Sequence, residues 1–171
     1  LQQEFPDHAP SVRRAVALAR CARDPLAMAC ALLSEKECAL SLKLHTLQDV
    51  LPQDRRLELL ERVACSLVNQ VGVDVNQLLA SLWKRPLVQF VNGLGPRKAL
   101  RFLAGLQHCG IQYNRIASRM HLVQELVDIQ QELGSKVMMK AIASFVVTDD
   151  DNYAPVNVIG RSQVGQLIAS S

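Results

Sequence analysis

Apolar residues recur along this chain at helical spacing almost from its start to beyond residue 140, and no strand-rich section interrupts them. Val12, Ala15, Val16 and Ala19 share one face, which predicts a helix capped by Ser11 and running to about Ala22. Asp24-Pro25 is a second start signal, with Asp as N-cap and Pro in the first helical position. The stretch Leu26 to Leu33 is apolar nearly all round, so that helix is predicted to be buried. Ser34-Glu35-Lys36-Glu37 fits a capping box for a short third helix, and Lys43 to Pro52 reads as a connector. Asp54 opens the clearest helix. Leu57, Leu60, Val63, Ala64, Leu67 and Val68 form its predicted core face, and Glu58 and Arg62 make an i,i+4 pair.

Gly72 interrupts that helix, and Asp74 caps another through about Leu82. Arg85-Pro86 restarts the chain into a helical arm with Leu87, Phe90 and Val91 facing inward. The run Phe90 to Leu100 then reads as helix, two-glycine turn and second helix, with basic residues on the first turn of the second helix. Gly93 takes the position after the first arm, where positive φ is needed. The second arm is predicted from Pro96 to about Gln107 and ended by Gly110, with Ala99, Phe102, Leu103 and Leu106 on the core face. Ser118 can cap a further helix through Leu122, Val123, Leu126, Val127 and Ile129. Leu133-Gly134-Ser135-Lys136-Val137 resembles a second, weaker turn, so the motif reads as duplicated. Met138, Ala141, Ile142 and Phe145 form the inner face after it, Val146 to Thr148 is extended, and Asp149, Asp150 and Asp151 open a polar loop.

Composition narrows the function classes. The chain has 171 residues and is 49% hydrophobic but only 4% aromatic, which suits helix-rich packing. No apolar run approaches the roughly 18 residues of a membrane span. Cys21, Cys30, Cys38, Cys65 and Cys109 are an odd number set in apolar helical patterns, as expected of reduced thiols. The chain starts at Leu1, and an excised fragment is expected. The net charge of +3 hides an asymmetry: residues 75–124 contain no acid but carry Lys84, Arg85, Arg97, Lys98, Arg101, Arg115 and Arg119. Removing those seven leaves the rest of the chain at −4, so a local anion-binding face is expected around the glycine turn.

The first hairpin carries the chemistry. A tight glycine turn feeding a helix leaves amide protons and the positive dipole end free to meet a phosphate. The predicted nucleic-acid-binding residues are Gly93, Leu94, Gly95, Arg97, Lys98 and Arg101, with Gly134 and Lys136 from the second turn. Such contacts carry no base information. The alternative is a hairpin that only joins packed helices, in a rigid scaffold that docks protein partners. Trp83, beside Lys84 and Arg85, reads as packing rather than a base-stacking platform. Catalysis is not expected: His108 and Cys109 are adjacent and diverge on a helix, and no nucleophile elbow or nucleotide-phosphate loop is present. No Cys-x-x-Cys or His-x-x-x-His spacing suggests zinc, and neither metal nor cofactor is expected.

Three segments carry a family resemblance: Leu44 to Gln48, Leu67 to Asn76, and Leu87 to Lys98. In that order and spacing they resemble the Suppressor-of-Ty six transcription elongation factors and histone chaperones, relatives of bacterial Tex proteins. The resemblance covers about Asp24 to Phe145. It implies an all-α fold: residues 1–44 as the helical end of a YqgF-like domain, 45–148 as a tandem helix-hairpin-helix domain, and 149–171 as an acidic loop leading to a death-like domain. It also implies a nuclear protein that travels with RNA polymerase II and meets histones and other elongation factors. For this fragment it implies weak, sequence-independent binding of nucleic acid, DNA ahead of RNA, by a monomer without membrane contact. The chain departs from the family pattern with Ser135 where Pro is usual and with Ala99-Leu100 where a glycine is common.

Overall fold

A computed structural model describes residues 4–43, 45–113, 115–125, 131 and 135–147. Helix α1 spans Pro10–Arg23, α2 Pro25–Ser34 and α3 Lys36–Ser41, and a 3-10 turn follows at Thr46–Val50. Helix α4 spans Gln53–Val71, strand β1 Val73–Asp74 and α5 Val75–Ala80, before a 3-10 segment at Leu82–Phe90. Helix α6 spans Gly95–Tyr113, α7 Arg119–Glu125, α8 Ser135–Ile142 and strand β2 Phe145–Val146.

Three predicted start signals operate as read, one of them Ser118, whose hydroxyl accepts the His121 amide (3.1 Å) at the start of α7. Asp24 Oδ1 accepts the Ala27 amide (3.0 Å) with Pro25 in the first position of α2. Asp74 accepts the amides of Asn76 (2.9 Å) and Gln77 (3.3 Å) at the start of α5. Other boundaries differ. Pro10, not Ser11, opens α1, with Ala9 as an N-cap that makes no side-chain bond. Glu35 stands at the cap of α3, also without a side-chain bond, so the expected Ser34 box does not form. The connector at 43–52 contains a capped turn instead: His45 Nδ1 accepts the Leu47 amide, and Gln48 reaches back to the His45 amide. Helix α6 runs through Gly110 to Tyr113. A glycine inside a helix costs only about 1 kcal/mol against alanine, too little to end one anchored by Phe102 and Leu106. The first arm is not an α-helix but the tighter 3-10 form, with Pro86, which has no amide proton, inside it.

Helix α2 packs against α1, α3, α4 and the 3-10 segment, and its Ala27, Cys30 and Leu33 join the same core as Phe90, Leu94 and Leu106. The rings of Phe102 and Phe145 stack with centroids 4.5 Å apart. Strand β2 lies parallel to β1, with Val73 opposite Phe145, and the Val73 amide donates to the Ser144 carbonyl (2.8 Å). This pairing joins the end of α4 to the residues after α8. One expectation for the core is overturned. Helix α4 buries Ala64, Val68 and Asn69, while Leu60, Val63 and Leu67 remain exposed. The helix carries more apolar positions than one buried face accepts, so the docked face is rotated away from them. Leu126, Val127, Ile129, Gly134, Thr148 and the acidic loop lie outside the described residues.

Burial sets cysteine chemistry. Cys30 is completely enclosed, and desolvation first, then its neighbours Cys65 and Asp24, push its thiol from 9.0 to about 12. The native thiol therefore holds its proton more tightly than the unfolded one. The stability this contributes is fully present below pH 9 and is lost as pH rises toward 12. At pH 8 a thiol-specific reagent is expected to label the exposed Cys21 rapidly and Cys30 only when urea unfolds the chain. Equal labelling rates would mean that α2 is not packed as described.

Candidate nucleic-acid interface

The hairpin turn is built from Val91 to Lys98. Val91 is buried, its amide closes onto the Val88 carbonyl (3.2 Å), and the Leu94 amide closes onto the Val91 carbonyl (3.1 Å). Gly93 has φ +87° and Gly95 φ +63°, the left-handed region that glycine enters without penalty. Leu94 between them is 3% exposed and plugs the core. It was expected at the interface. Its side chain faces inward and its amide is already bonded, so it shapes the turn without facing a ligand.

Helix α6 starts at Gly95, and its first amides have no acceptor within the helix. Pro96 has no proton to offer, which leaves Gly95 and Arg97. Among the described residues no side-chain acceptor occupies these amides. Among the described residues nothing stands within 4 Å of where a Cβ on Gly95 would lie, so on their side the approach is open. Pro96, Arg97 and Arg101 are exposed, and Arg101 lies one turn beyond Arg97. Lys98 folds back toward the turn, with Nζ a long 3.5 Å from the Gly93 carbonyl.

The opposite side of the turn is closed. A Cβ on Gly93 would stand 3.5 Å from Val137 and 3.7 Å from Cβ of Lys140, so α8 packs directly against the bend. This brings the exposed Lys140 to the hairpin, a cation that sequence spacing did not single out. No sequence signal pointed to it; the packing of Val137 and Lys140 on Gly93 brings it there. Of the second turn's predicted residues, Gly134 lies outside the described residues. Lys136 falls in α8, and its side chain is likewise outside them.

Asn69 of α4 positions the turn, and it too was not predicted as a site residue. Its Nδ2 donates to the carbonyls of Cys65 and Phe90, the latter at 3.0 Å. Its Oδ1 accepts the Asn92 amide (2.9 Å) and the Ser144 hydroxyl (2.6 Å). One buried amide thus holds both ends of the bend and the residue before β2. Asn76 does the same for the loop before α7, exchanging two 2.9 Å bonds with the backbone of Ile116.

The basic stretch divides by role. Lys84 is buried and pairs with Asp24 (2.6 Å) and Gln77 (2.5 Å), and Arg119 is buried with Nε on the Phe145 carbonyl (3.0 Å). Neither belongs to the exposed face expected of them. Arg85 lies against the Gln107 side chain, whose oxygen, assigned from the bonding pattern, accepts at 2.9 and 3.0 Å. The guanidinium of Arg20 and the ammonium of Lys84 lie 5.2 and 5.4 Å from the Trp83 ring centre, so this chain's own cations meet its faces. Packing, as expected, accounts for Trp83.

A family model described as a helix-hairpin-helix motif matches residues 37–149. A "Transcription elongation factor SPT6-like" protein of Arabidopsis thaliana is 38% identical over 139 residues, covering 81% of this chain and 10% of that protein. A "Suppressor of Ty 6 homolog" of Caenorhabditis briggsae is 36% identical over 166 residues, 94% of this chain and 10% of that one. "Transcription elongation factor SPT6" of Drosophila melanogaster is 29% identical over 168 residues, 95% and 9%. The chain spans about a tenth of the length of these relatives.

Proposed function

We propose, for a chain that belongs to the helix-hairpin-helix family, that its first hairpin grips a nucleic-acid backbone without reading sequence, DNA ahead of RNA. What carries this reading is the start of α6: amides of Gly95 and Arg97 that no side chain among the described residues accepts from, beside Arg97, Lys98, Arg101 and Lys140. The mostly helical fold and the similarity to proteins named as transcription elongation factors suit a role in transcription elongation. On that reading the chain is a non-enzymatic part of a nuclear factor that works with RNA polymerase II and handles histones, and residues 1–44 end a YqgF-like domain.

The test is a titration of labelled duplex and single-stranded oligonucleotides at several salt concentrations. If about four phosphates are neutralised, log affinity on duplex falls with log salt at a slope of roughly −3.6. Lys98→Glu and Arg101→Glu should each weaken binding and flatten the slope by about one. Binding that ignores both substitutions removes the hairpin site. No binding at low salt favours a rigid scaffold that docks proteins.

A further inference from the structure

The tip of the hairpin is an asparagine followed by a glycine. Asn92 and Gly93 are both exposed, between the buried Val91 and Leu94. Among the described residues the Asn92 side-chain amide makes no hydrogen bond, and the Gly93 amide proton has no acceptor. Gly93 has no side chain to shield its nitrogen from the Asn92 carboxamide. Asn69 and Asn76 differ on both counts. Their side chains are held by hydrogen bonds, and each precedes a glutamine.

The surroundings of the tip are positive. Nζ of Lys98 lies 3.5 Å from the Gly93 carbonyl, Lys140 packs beside Gly93, and no acid occurs between residues 75 and 124. Cations near an amide stabilise the anion it becomes on losing its proton.

We infer that Asn92-Gly93 is a site of spontaneous covalent modification, an intramolecular deamidation that puts a carboxylate on the hairpin tip. The Gly93 nitrogen loses its proton to hydroxide and attacks Cγ of Asn92. The new N–Cγ bond closes a five-membered imide, the Cγ–Nδ2 bond breaks, and Nδ2 leaves as ammonia with a proton from water. A water molecule then opens the imide. Opening at Cγ gives aspartate with the main chain unchanged. Opening at the main-chain carbonyl gives isoaspartate, whose main chain runs through Cβ and Cγ. One water is consumed and one ammonia released, and nothing is oxidised or reduced.

Both products alter the turn. Each adds a negative charge just before the first residue of α6, where it competes with a phosphate for the positive end of the helix. Isoaspartate also inserts a methylene between two fixed points, the Asn92 amide on Asn69 (2.9 Å) and the Leu94 amide on the Val91 carbonyl (3.1 Å). The loss of nucleic-acid binding rests on the function proposed above; the covalent chemistry does not.

The whole chain is kept folded for days in mildly alkaline buffer, digested with trypsin and read by mass spectrometry. The peptide from Arg85 to Arg97 holds Asn92 and no other asparagine, and that from Val63 to Lys84 holds Asn69 and Asn76 as internal controls. Exchange of NH for O at Asn92 should be at least about tenfold faster than at either control. An isoaspartyl methyltransferase should label the aged chain, and Asn92→Gln, which would need a six-membered ring, should remove both signals. Conversion at Asn92 no faster than in the control peptide overturns the proposal. Aged chain separated by ion exchange should bind duplex oligonucleotide about threefold more weakly, as should Asn92→Asp. Converted chain that binds as tightly as fresh chain, while Lys98→Glu binds weakly, overturns the effect on the site. Normal binding by Lys98→Glu as well removes the hairpin as the phosphate site, and the peptide masses still decide the modification.

Discussion

Asn69→Leu is expected to destabilise the fold by about 3–4 kcal/mol, the largest effect of any single polar substitution near the hairpin. Leucine keeps the branching and heavy-atom count of the asparagine side chain, with bulkier methyl groups, but offers no polar atom. The Phe90 carbonyl and the Ser144 hydroxyl, both in buried residues, each lose a partner, and the Asn92 amide loses its acceptor. A buried group left unpaired costs about 1–3 kcal/mol. Three such losses do not add fully, because water can reach Asn92 at the exposed tip. Ser144→Ala removes one bond of the same network and should cost about 1 kcal/mol. Urea unfolding followed by circular dichroism measures both. The hairpin should also lose its fixed shape before the core does, so oligonucleotide binding by Asn69→Leu should fall even at denaturant-free conditions where the helices remain formed. A stability loss under 1 kcal/mol would mean that the bend holds itself and that Asn69 is incidental.

The contrast between Asn69 and the residues that were legible from sequence is instructive. Start signals confined to adjacent residues, Asp24-Pro25 and Asp74, read directly because the bond they make spans only two or three positions. The glycines of the turn also read directly, since only a positive φ explains two of them flanking a leucine. Asn69 acts across 21 to 75 residues of sequence, and no periodicity records that. Burial of charge was equally hidden. Lys84 and Arg119 look like members of the basic stretch, and only the packing of α2 and β2 against them shows that they are internal. The face of α4 was misassigned for a related reason: periodicity finds an apolar arc but not how many partners it has. Lys140 needed α8 to lie against the first turn, which no sequence spacing recorded and the packing of Val137 and Lys140 on Gly93 displays.

Asp24 and Lys84 yield the second large effect, and it separates structural charge from the charge available to a ligand. Asp24 does two things at once: Oδ1 caps α2 at the Ala27 amide and Oδ2 pairs with Lys84. The Lys84 side chain is only 9% exposed, whereas that of Asp24 is 25% exposed. Removing the acid therefore leaves the more deeply buried ammonium without a counter-charge, with only the neutral Gln77 oxygen beside it. Asp24→Ala loses both functions and should cost about 3–4 kcal/mol, within the range for breaking a buried pair. Asp24→Asn keeps the cap and should cost about 2 kcal/mol. Lys84→Met keeps the stem against Trp83 and leaves a carboxylate that water can still reach, so its cost should be about 1 kcal/mol. Combining Asp24→Asn with Lys84→Met should recover most of the loss, since no unpaired charge then remains inside. The same variants divide the basic stretch by function. Lys84→Met should leave oligonucleotide affinity and its salt slope unchanged, while Lys98→Glu reduces both. A Lys84→Met chain that binds as poorly as Lys98→Glu would place the Lys84 ammonium on the phosphate path and break the division drawn between the buried and the exposed cations.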